Sequence, residues 1–198
     1  VGHSHNAFFS ESFIDELALE SKQDPVAFRL ALLKDAPRYA AVLKLASEKA
    51  KWGSALPAGH AHGVALHESF GSIVAQVAEV SMQDGKPRVH RVVCAIDCGT
   101  VVNPGTVAQQ VESAINFALT AALFGHIDIQ EGVVQQTNFP NYPLVSMAQS
   151  PKVETWIVPS THSPEGVGEP AVPPLAPAVA NAMFKLTGKR MRALPLVS

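Results

Sequence analysis

The chain has 198 residues, of which 47% are hydrophobic and only 16% are charged, and its formal net charge is −2. This composition is typical of a folded domain and excludes a disordered chain. No basic stripe marks a nucleic-acid partner, and no apolar run reaches the roughly 20 residues that span a bilayer. Because so few residues are charged, we expect part of the surface to be buried against another polypeptide.

Three helices are predicted in the first quarter of the chain. The first covers residues 7–19, and its apolar residues recur at helical spacing and predict one buried face: Phe9, Phe13, Ile14, Leu17 and Ala18. Asp24 and Pro25 begin the second helix as N-cap and first-turn residue. Pro37 begins the third, which ends before Gly53. Residues 1–56 are therefore predicted to form a helical segment.

Residues 57–198 are predicted to form an α+β segment. Strands are expected over residues 63–69, 72–82, 88–96 and 153–158. Hairpin turns are expected at Asp84-Gly85-Lys86 and around Glu131-Gly132. Two long helices are expected over residues 106–124 and 174–186, closed by Gly125 and Gly188. Because helices and strands occur in blocks and not as regular βαβ units, the predicted class is α+β, with mixed sheets packed against helices.

The two cysteines, Cys94 and Cys98, lie four residues apart in a predicted strand. In a strand they share a face but are separated by roughly 13 Å, whereas a disulfide needs Cα atoms within about 7 Å. We therefore expect two buried free thiols. An ordinary iron–sulfur cluster uses four thiolates, so any such cluster must lie on another chain.

The histidines include two His-x-His pairs, His3/His5 and His60/His62. In a strand, the two rings of such a pair point to the same face and are able to ligate a metal. No spacing marks a third ligand, so hydrogen-bonding or loop histidines are the alternative interpretation. On this pattern we predict no protein metal ligand.

The segment Gly166-Val167-Gly168-Glu169-Pro170 places one carboxylate between glycines and a proline. Glycine lets the backbone approach a bulky ligand closely, and Pro170 favours an extended conformation at Glu169. A carboxylate held in this way beside a ligand is a candidate general base. The alternative is a surface turn with a solvated glutamate.

A second candidate site lies at the predicted helix start that follows Asn103-Pro104-Gly105. Free backbone N–H groups at such a position bind anions such as phosphate, and the side-chain amides of Gln109 and Gln110 add directional hydrogen bonds. Ordinary helix capping with a solvated face is the alternative interpretation.

Several segments, taken in chain order, resemble the C-terminal part of the molybdenum-binding subunit of the xanthine oxidase family. The similarity is greatest to the branch of isoquinoline 1-oxidoreductase β-subunits and bacterial aldehyde dehydrogenases. The segments are Gly2-His3-Ser4-His5-Asn6-Ala7-Phe8, Glu11-Ser12-Phe13-Ile14-Asp15-Glu16-Leu17-Ala18, Asp97-Cys98-Gly99, Asn103-Pro104, Gln110-Val111-Glu112, Asn141-Tyr142-Pro143, Gly166-Val167-Gly168-Glu169-Pro170, Ala180-Asn181-Ala182 and Leu194-Pro195. We accordingly expect this chain to be one piece of a larger subunit, with the fold of its molybdopterin-binding domains.

The resemblance implies a molybdopterin cytosine dinucleotide cofactor with molybdenum, to which the protein supplies no direct metal ligand. Glu169 matches the family's catalytic glutamate and would be the base for the hydroxyl group on molybdenum. Gln110 matches a cofactor-binding glutamine. The other implied cofactor contacts are Gly2, Ser4, His5, Gly166, Val167 and Gly168.

The implied reaction is oxidation of an aldehyde to a carboxylic acid or hydroxylation of an N-heterocycle, with electrons leaving through iron–sulfur clusters on a small partner subunit. The remainder of the molybdenum-binding subunit is the other implied partner. The resemblance implies a complex in the periplasm or at a membrane, with a cytoplasmic location as the alternative. The alternative is a non-catalytic folded fragment that binds the rest of its subunit, or a dinucleotide, without turnover.

Overall fold

A computed structural model describes residues 1–197 of the chain. Its helices are α1 (Gly2–Glu20), α2 (Pro25–Leu32), α3 (Pro37–Lys49), α4 (Pro104–Phe124) and α5 (Leu175–Thr187). Its strands are β1 (His60–Ser69), β2 (Ser72–Gln83), β3 (Lys86–Asp97), β4 (Ile129–Gln130), β5 (Val133–Val134) and β6 (Lys152–Ile157). A short 3₁₀ helix covers Phe139–Asn141. All the predicted helices and strands are confirmed, with ends shifted by a few residues.

The main sheet has the strand order β1-β2-β3-β6. The first three strands form an antiparallel meander, and β6 runs parallel to β3. The predicted turn at Asp84-Gly85 joins β2 to β3, and both of its residues have positive φ, 50° and 77°. Positive φ at both central residues matches the twist of the flanking strands, which explains this Asp-Gly pair. Strands β4 and β5 form the second, short hairpin.

Helices cover both faces of the main sheet. On one face, α4 and α5 pack over a core that includes Val92 and Ile115. On the other face, α3 packs Val42 and Leu43 against apolar side chains of β2 and β3. Because both faces are covered, β2 is buried along nearly its whole length, and buried and exposed residues do not alternate. The helices of residues 1–56 thus share a core with the strands, and the division at residue 56 stays a prediction.

The buried face of α1 differs from the predicted one. Phe9, Phe13 and Leu17 are 61%, 58% and 39% exposed, so the prediction that they face the core is wrong. The buried side chains are instead Ala7, Phe8, Glu11, Ser12, Asp15 and Ala18. Two carboxylates are buried on this face because the guanidinium groups of Arg29 and Arg190, which lie outside α1, pair with them. A count of apolar residues at helical spacing does not detect such pairing.

Cys94 and Cys98 are both buried and free, as predicted. Burial raises the pKa of the Cys94 thiol to about 12. Within residues 1–197, no helix is long and apolar enough to cross a membrane.

Candidate functional site

The candidate site lies at the end of the sheet where β1 turns into β2. The turn residues Phe70 and Gly71 have positive φ, 54° and 78°. The Phe70 carbonyl accepts a 3.1 Å hydrogen bond from the Gly166 N–H, and the Ser72 hydroxyl donates a 2.6 Å hydrogen bond to the Gly166 carbonyl. Both polar groups of Gly166 are therefore bound to the turn, which fixes the start of the segment that carries Glu169.

The far end of this segment is also attached to β2. The buried side-chain amide of Gln76 donates a 2.7 Å hydrogen bond to the Ala171 carbonyl. Within the segment, the Val172 N–H donates to the Glu169 carbonyl at 2.9 Å. The Glu169 side chain is exposed, and none of the hydrogen bonds that hold the segment involves its carboxylate. These hydrogen bonds therefore hold the backbone from which the Glu169 side chain extends.

The two glycines that precede Glu169 have different surroundings. A Cβ at Gly166 would lie 3.0 Å from the Cβ of Phe70, so the turn packs directly against this residue. A Cβ at Gly168 would have no other atom within 4 Å, and the residue is exposed. The backbone at Gly168 is thus open to a ligand, which agrees with the reason for expecting glycine there.

The loop after β3 supports the segment from a second side. The Glu165 N–H donates to the Cys98 carbonyl at 3.0 Å. A Cβ at Gly99 would lie 1.9 Å from the Ser163 carbonyl oxygen, so glycine is required for this close approach. Burial favours a higher pKa for the Asp97 carboxyl, but hydrogen bonds from Arg38 (2.8 Å) and from the Gly99 N–H outweigh it and lower the pKa. Asp97 therefore holds the loop as a carboxylate.

The start of α4 completes this edge of the site. The Asn103 side chain caps the helix by accepting from the Thr106 N–H at 3.2 Å. A cavity of about 230 Å³ separates this helix start from the segment and is lined by Cys98, Val101, Thr106, Pro164, Glu165 and Val167, among others. Gln110 is exposed in the second turn of α4. It lies beyond the capped first turn of the helix and is not among the residues that line this cavity.

The start of α1 reaches the same turn. The Nδ1 atom of His3 lies 3.0 Å from the Nε2 atom of His67, and the His3 ring packs against the Phe70 ring with centroids 5.5 Å apart. Gly2 and His5 are exposed and Ser4 is partly exposed. The expected cofactor contacts of α1 and those of the Glu169 segment are thus connected through Phe70.

The two His-x-His pairs have different environments. His3 and His5 are in α1, where residues two apart do not share a face. His60 is in β1, with its Nδ1 2.7 Å from Glu79 Oε1 and its ring stacked on His90, while His62 stacks on Trp52. In the part of the chain that the structure describes, no three His, Cys, Asp or Glu side chains are placed to hold a metal ion.

Sequence reasoning did not single out Phe70, Ser72 or Gln76. Gln76 is a polar residue among the apolar residues of a predicted strand. Because buried amides need hydrogen-bond partners, this residue could have been recognised as one that binds another segment. Phe70 and Gly71 separate two apolar runs and mark a tight turn. The partners of Ser72 and Gln76 are 94 and 95 positions away in the sequence, so no local pattern connects them to Glu169.

Comparison with known proteins supports one family. The family described as molybdopterin cofactor-binding domain matches residues 28–151. The β-subunit of isoquinoline 1-oxidoreductase from Brevundimonas diminuta is 34% identical over 99% of this chain and 26% of its own length. The membrane-bound aldehyde dehydrogenase (pyrroloquinoline-quinone) of Gluconacetobacter polyoxogenes is 33% identical over 94% of this chain and 27% of its own. The chain thus spans about a quarter of the length of these curated relatives.

The fold is also similar to that of solved structures. CO dehydrogenase from Oligotropha carboxidovorans superposes with a TM-score of 0.52 at 27% identity, over 59% of this chain and 16% of that chain. Together with the mixed sheet covered by helices on both faces, this similarity confirms the predicted α+β class.

Proposed function

Because the chain belongs to the molybdopterin cofactor-binding domain family, we propose that it is the C-terminal catalytic portion of a molybdenum hydroxylase. The observation that carries this proposal is the attachment of the Gly166–Ala171 segment to β2, which leaves the Glu169 carboxylate exposed beside the open backbone of Gly168. A general base must come within hydrogen-bond reach of the proton that it accepts, and this arrangement leaves room for a ligand beside the carboxylate.

The residues at this end of the sheet fit a pterin dinucleotide. Such a group needs backbone N–H donors, amide side chains and a surface without obstructing side chains. Gly168 offers open backbone, the start of α4 offers the Gly105 N–H for a phosphate oxygen because Asn103 already caps the Thr106 N–H, and Gln110 offers an exposed amide. We assign the remaining cofactor contacts to Gly166, Val167, Gly2, Ser4 and His5, without direct metal ligands. When bound, the molybdenum cofactor would supply the redox chemistry and the transfer of oxygen.

In this proposal, Glu169 acts as a base. One of its carboxylate oxygens accepts the proton of the group that attacks the substrate, while the attached backbone holds the residue beside the open backbone of Gly168. General-base catalysis of this kind contributes about 10²–10⁴ to a rate.

The finer assignments follow from the family resemblance. We propose the cytosine dinucleotide form of the cofactor, an aldehyde or an N-heterocycle as substrate, and iron–sulfur clusters on a small partner subunit. The names of the two relatives, one for an isoquinoline and one for an aldehyde, support both substrate classes. Cys94 and Cys98 are two thiols, whereas an ordinary cluster uses four thiolates.

The first measurement is the molybdenum and CMP content of the purified chain. It is made on the chain alone and on the chain together with the rest of the subunit, and we expect about one molybdenum and one CMP per chain. Glu169→Gln should leave both contents unchanged and lower turnover of an aldehyde or N-heterocycle by about 10²-fold or more. Glu131→Gln, which removes an exposed carboxylate in the β4–β5 hairpin, is the matched control. Turnover preserved in Glu169→Gln would refute the assigned base.

The second candidate function is a folded module that binds the rest of its subunit without turnover. The exposed stripe of Phe9, Phe13 and Leu17 on α1 favours it, because a helix face of this kind is normally covered. Replacing all three with serine should abolish self-association or co-purification while the domain stays folded. Full turnover by the isolated chain would reject this candidate.

A further inference from the structure

Two buried polar side chains of β2 hold the Glu169 segment at both ends. Ser72 and Gln76 are both completely buried. The Ser72 hydroxyl donates to the Gly166 carbonyl at 2.6 Å, and the Gln76 amide donates to the Ala171 carbonyl at 2.7 Å. Glu169 lies between these two attachment points. The pair Ser72 and Gln76 is here called the β2 clamp.

The β2 clamp leaves the segment little freedom. The carbonyl groups that Ser72 and Gln76 bind belong to residues five positions apart, and the Gly166 N–H is also bonded to the Phe70 carbonyl. Next to the Ala171 attachment, the Val172 N–H donates to the Glu169 carbonyl at 2.9 Å, which closes a turn of residues 169–172. Because these hydrogen bonds lie on both sides of Glu169, the Glu169 backbone is confined.

Sheet stability alone does not account for Gln76. Its side-chain oxygen, Oε1, is buried and has no hydrogen-bond partner within residues 1–197. A buried polar atom without a partner destabilises the folded state, and an apolar side chain of similar size would avoid this cost. The favourable contact that the amide makes is the one to Ala171, besides a 3.9 Å approach to the Cys94 sulfur.

We propose that Ser72 and Gln76 are positioning residues for Glu169, acting through the carbonyl groups of Gly166 and Ala171. The proposal rests on the assignment of Glu169 as the base, and it adds that β2 holds the backbone from which this carboxylate extends. The clamp itself is present without any cofactor, so it can be tested without turnover.

The test uses Ser72→Ala and Gln76→Met in the full chain. Hydrogen exchange, followed by mass spectrometry, is measured on peptides that cover residues 164–172 and on peptides from the rest of the sheet. Each variant should accelerate exchange of the hydrogen-bonded Gly166 and Val172 amides by about tenfold or more, which corresponds to a loss of roughly 1.4 kcal/mol in local opening. Exchange in the other strands should stay within about twofold of the wild type.

Ser81→Ala is the matched control, because Ser81 is a buried serine of the same strand whose hydroxyl contacts His90 and not the segment. Equal acceleration of residues 164–172 in Ser81→Ala, or no acceleration in the two clamp variants, would overturn the proposal.

The functional arm compares kcat and KM of the cofactor-loaded protein. A displaced base should lower kcat by about tenfold or more at unchanged molybdenum content and similar KM, whereas a loss of folded protein lowers molybdenum content and activity together. Unchanged kcat in both clamp variants would overturn the positioning role. The two proposals are able to fail separately. If Glu169→Gln keeps full turnover, the assignment of Glu169 as the base fails. If exchange is nevertheless accelerated in Ser72→Ala and Gln76→Met, the two side chains still hold the segment, but they do not position a base.

Discussion

Arg29 donates a 2.9 Å hydrogen bond from its Nε atom to Oε2 of Glu11, and both side chains are buried. The same carboxylate oxygen accepts from the Leu66 N–H at 2.8 Å. Burial raises the pKa of Glu11, although the charge of Arg29 and both hydrogen bonds oppose this shift. The ion pair therefore joins α1 to α2 and to β1, and α1 carries the expected cofactor contacts at its start.

Arg29→Met should be strongly destabilising. It leaves the Glu11 and Asp15 carboxylates buried without this partner, and breaking a buried pair on one side typically costs about 3–5 kcal/mol. Arg192→Met is the control, because Arg192 pairs with Glu16 at an exposed position, where loss of a pair costs about 0–1 kcal/mol. Urea unfolding of both variants measures the difference. If Arg29→Met and Arg192→Met had equal free energies of unfolding, the buried pair would stabilise the domain no more than the exposed pair, and the prediction would be wrong.

Gly63→Ala should also destabilise the domain. A Cβ at Gly63 would lie 2.0 Å from the Ala178 carbonyl oxygen and 2.4 Å from the Ala182 nitrogen, both of which belong to the backbone of α5. Since helix backbone cannot move aside locally, α5 must shift away from β1, and overpacking of this kind costs about 1–3 kcal/mol or more.

Gly168→Ala is the control for Gly63→Ala, and the melting temperatures of both variants are measured by thermal unfolding. A Cβ at this position has open space around it, so the melting temperature should stay near that of the wild type. A stable Gly63→Ala variant would show that α5 does not pack on β1 as closely as the structure indicates.

Local signals predicted most of the fold, and long-range contacts account for what they missed. The Asp24 cap, the Asp84-Gly85 turn and the Gly188 helix end follow from neighbouring residues, and all three are confirmed. The buried face of α1 was predicted wrongly because Arg29, on another helix, makes the burial of Glu11 favourable.

In the candidate site, too, local motifs were predictable from the sequence and long-range contacts were not. The Gly-Val-Gly-Glu-Pro segment and the start of α4 were recognisable as motifs, and the resemblance gave Glu169 its proposed role. The attachments of Gly166 to Ser72 and of Ala171 to Gln76 join positions 94 and 95 residues apart. Hydrogen bonds between such distant positions depend on the tertiary arrangement, so no spacing in the sequence indicates them.

The two thiols should be unreactive in the folded chain. Burial raises the pKa of Cys94 to about 12, and burial and then the charge of Asp97 raise the pKa of Cys98. Since the thiolate is the reactive form, a disulfide reagent at about pH 8, near the ordinary thiol pKa, should modify neither cysteine in native protein and both after unfolding in urea. Ser54→Cys, at an exposed position, should add one fast-reacting thiol. Rapid modification of the wild-type chain would contradict the burial of both cysteines.

The His3–His67 contact predicts a dependence of stability on pH. Burial lowers the pKa of His67, the nearby His3 lowers it further, and Glu68 opposes the shift. Above the unfolded-state pKa of about 6.5, His67 is neutral in both states and contributes no pH dependence. As the pH falls below about 6.5 the unfolded chain binds the proton first, so stability decreases until the pH reaches the lowered folded-state pKa. The effect of one such group is at most about 1.4 kcal/mol per pH unit.

Two substitutions should have opposite effects on the loss of stability at low pH. His67→Gln removes the titrating ring and should flatten the dependence of the unfolding free energy on pH below about 6.5. Glu68→Gln removes the charge that favours protonated His67, so the folded-state pKa falls further and stability should decrease over a wider pH range. The Gln side chain still accepts from the Tyr39 hydroxyl, which donates to Glu68 in the wild type.

Because His62 and His90 also have pKa values lowered by burial, the wild-type slope is the sum of several groups. The difference between each variant and the wild type, measured by urea unfolding at each pH, isolates His67. If the unfolding free energy depends on pH identically in the wild type and both variants, the pKa of His67 is not lowered in the folded state and the prediction is wrong.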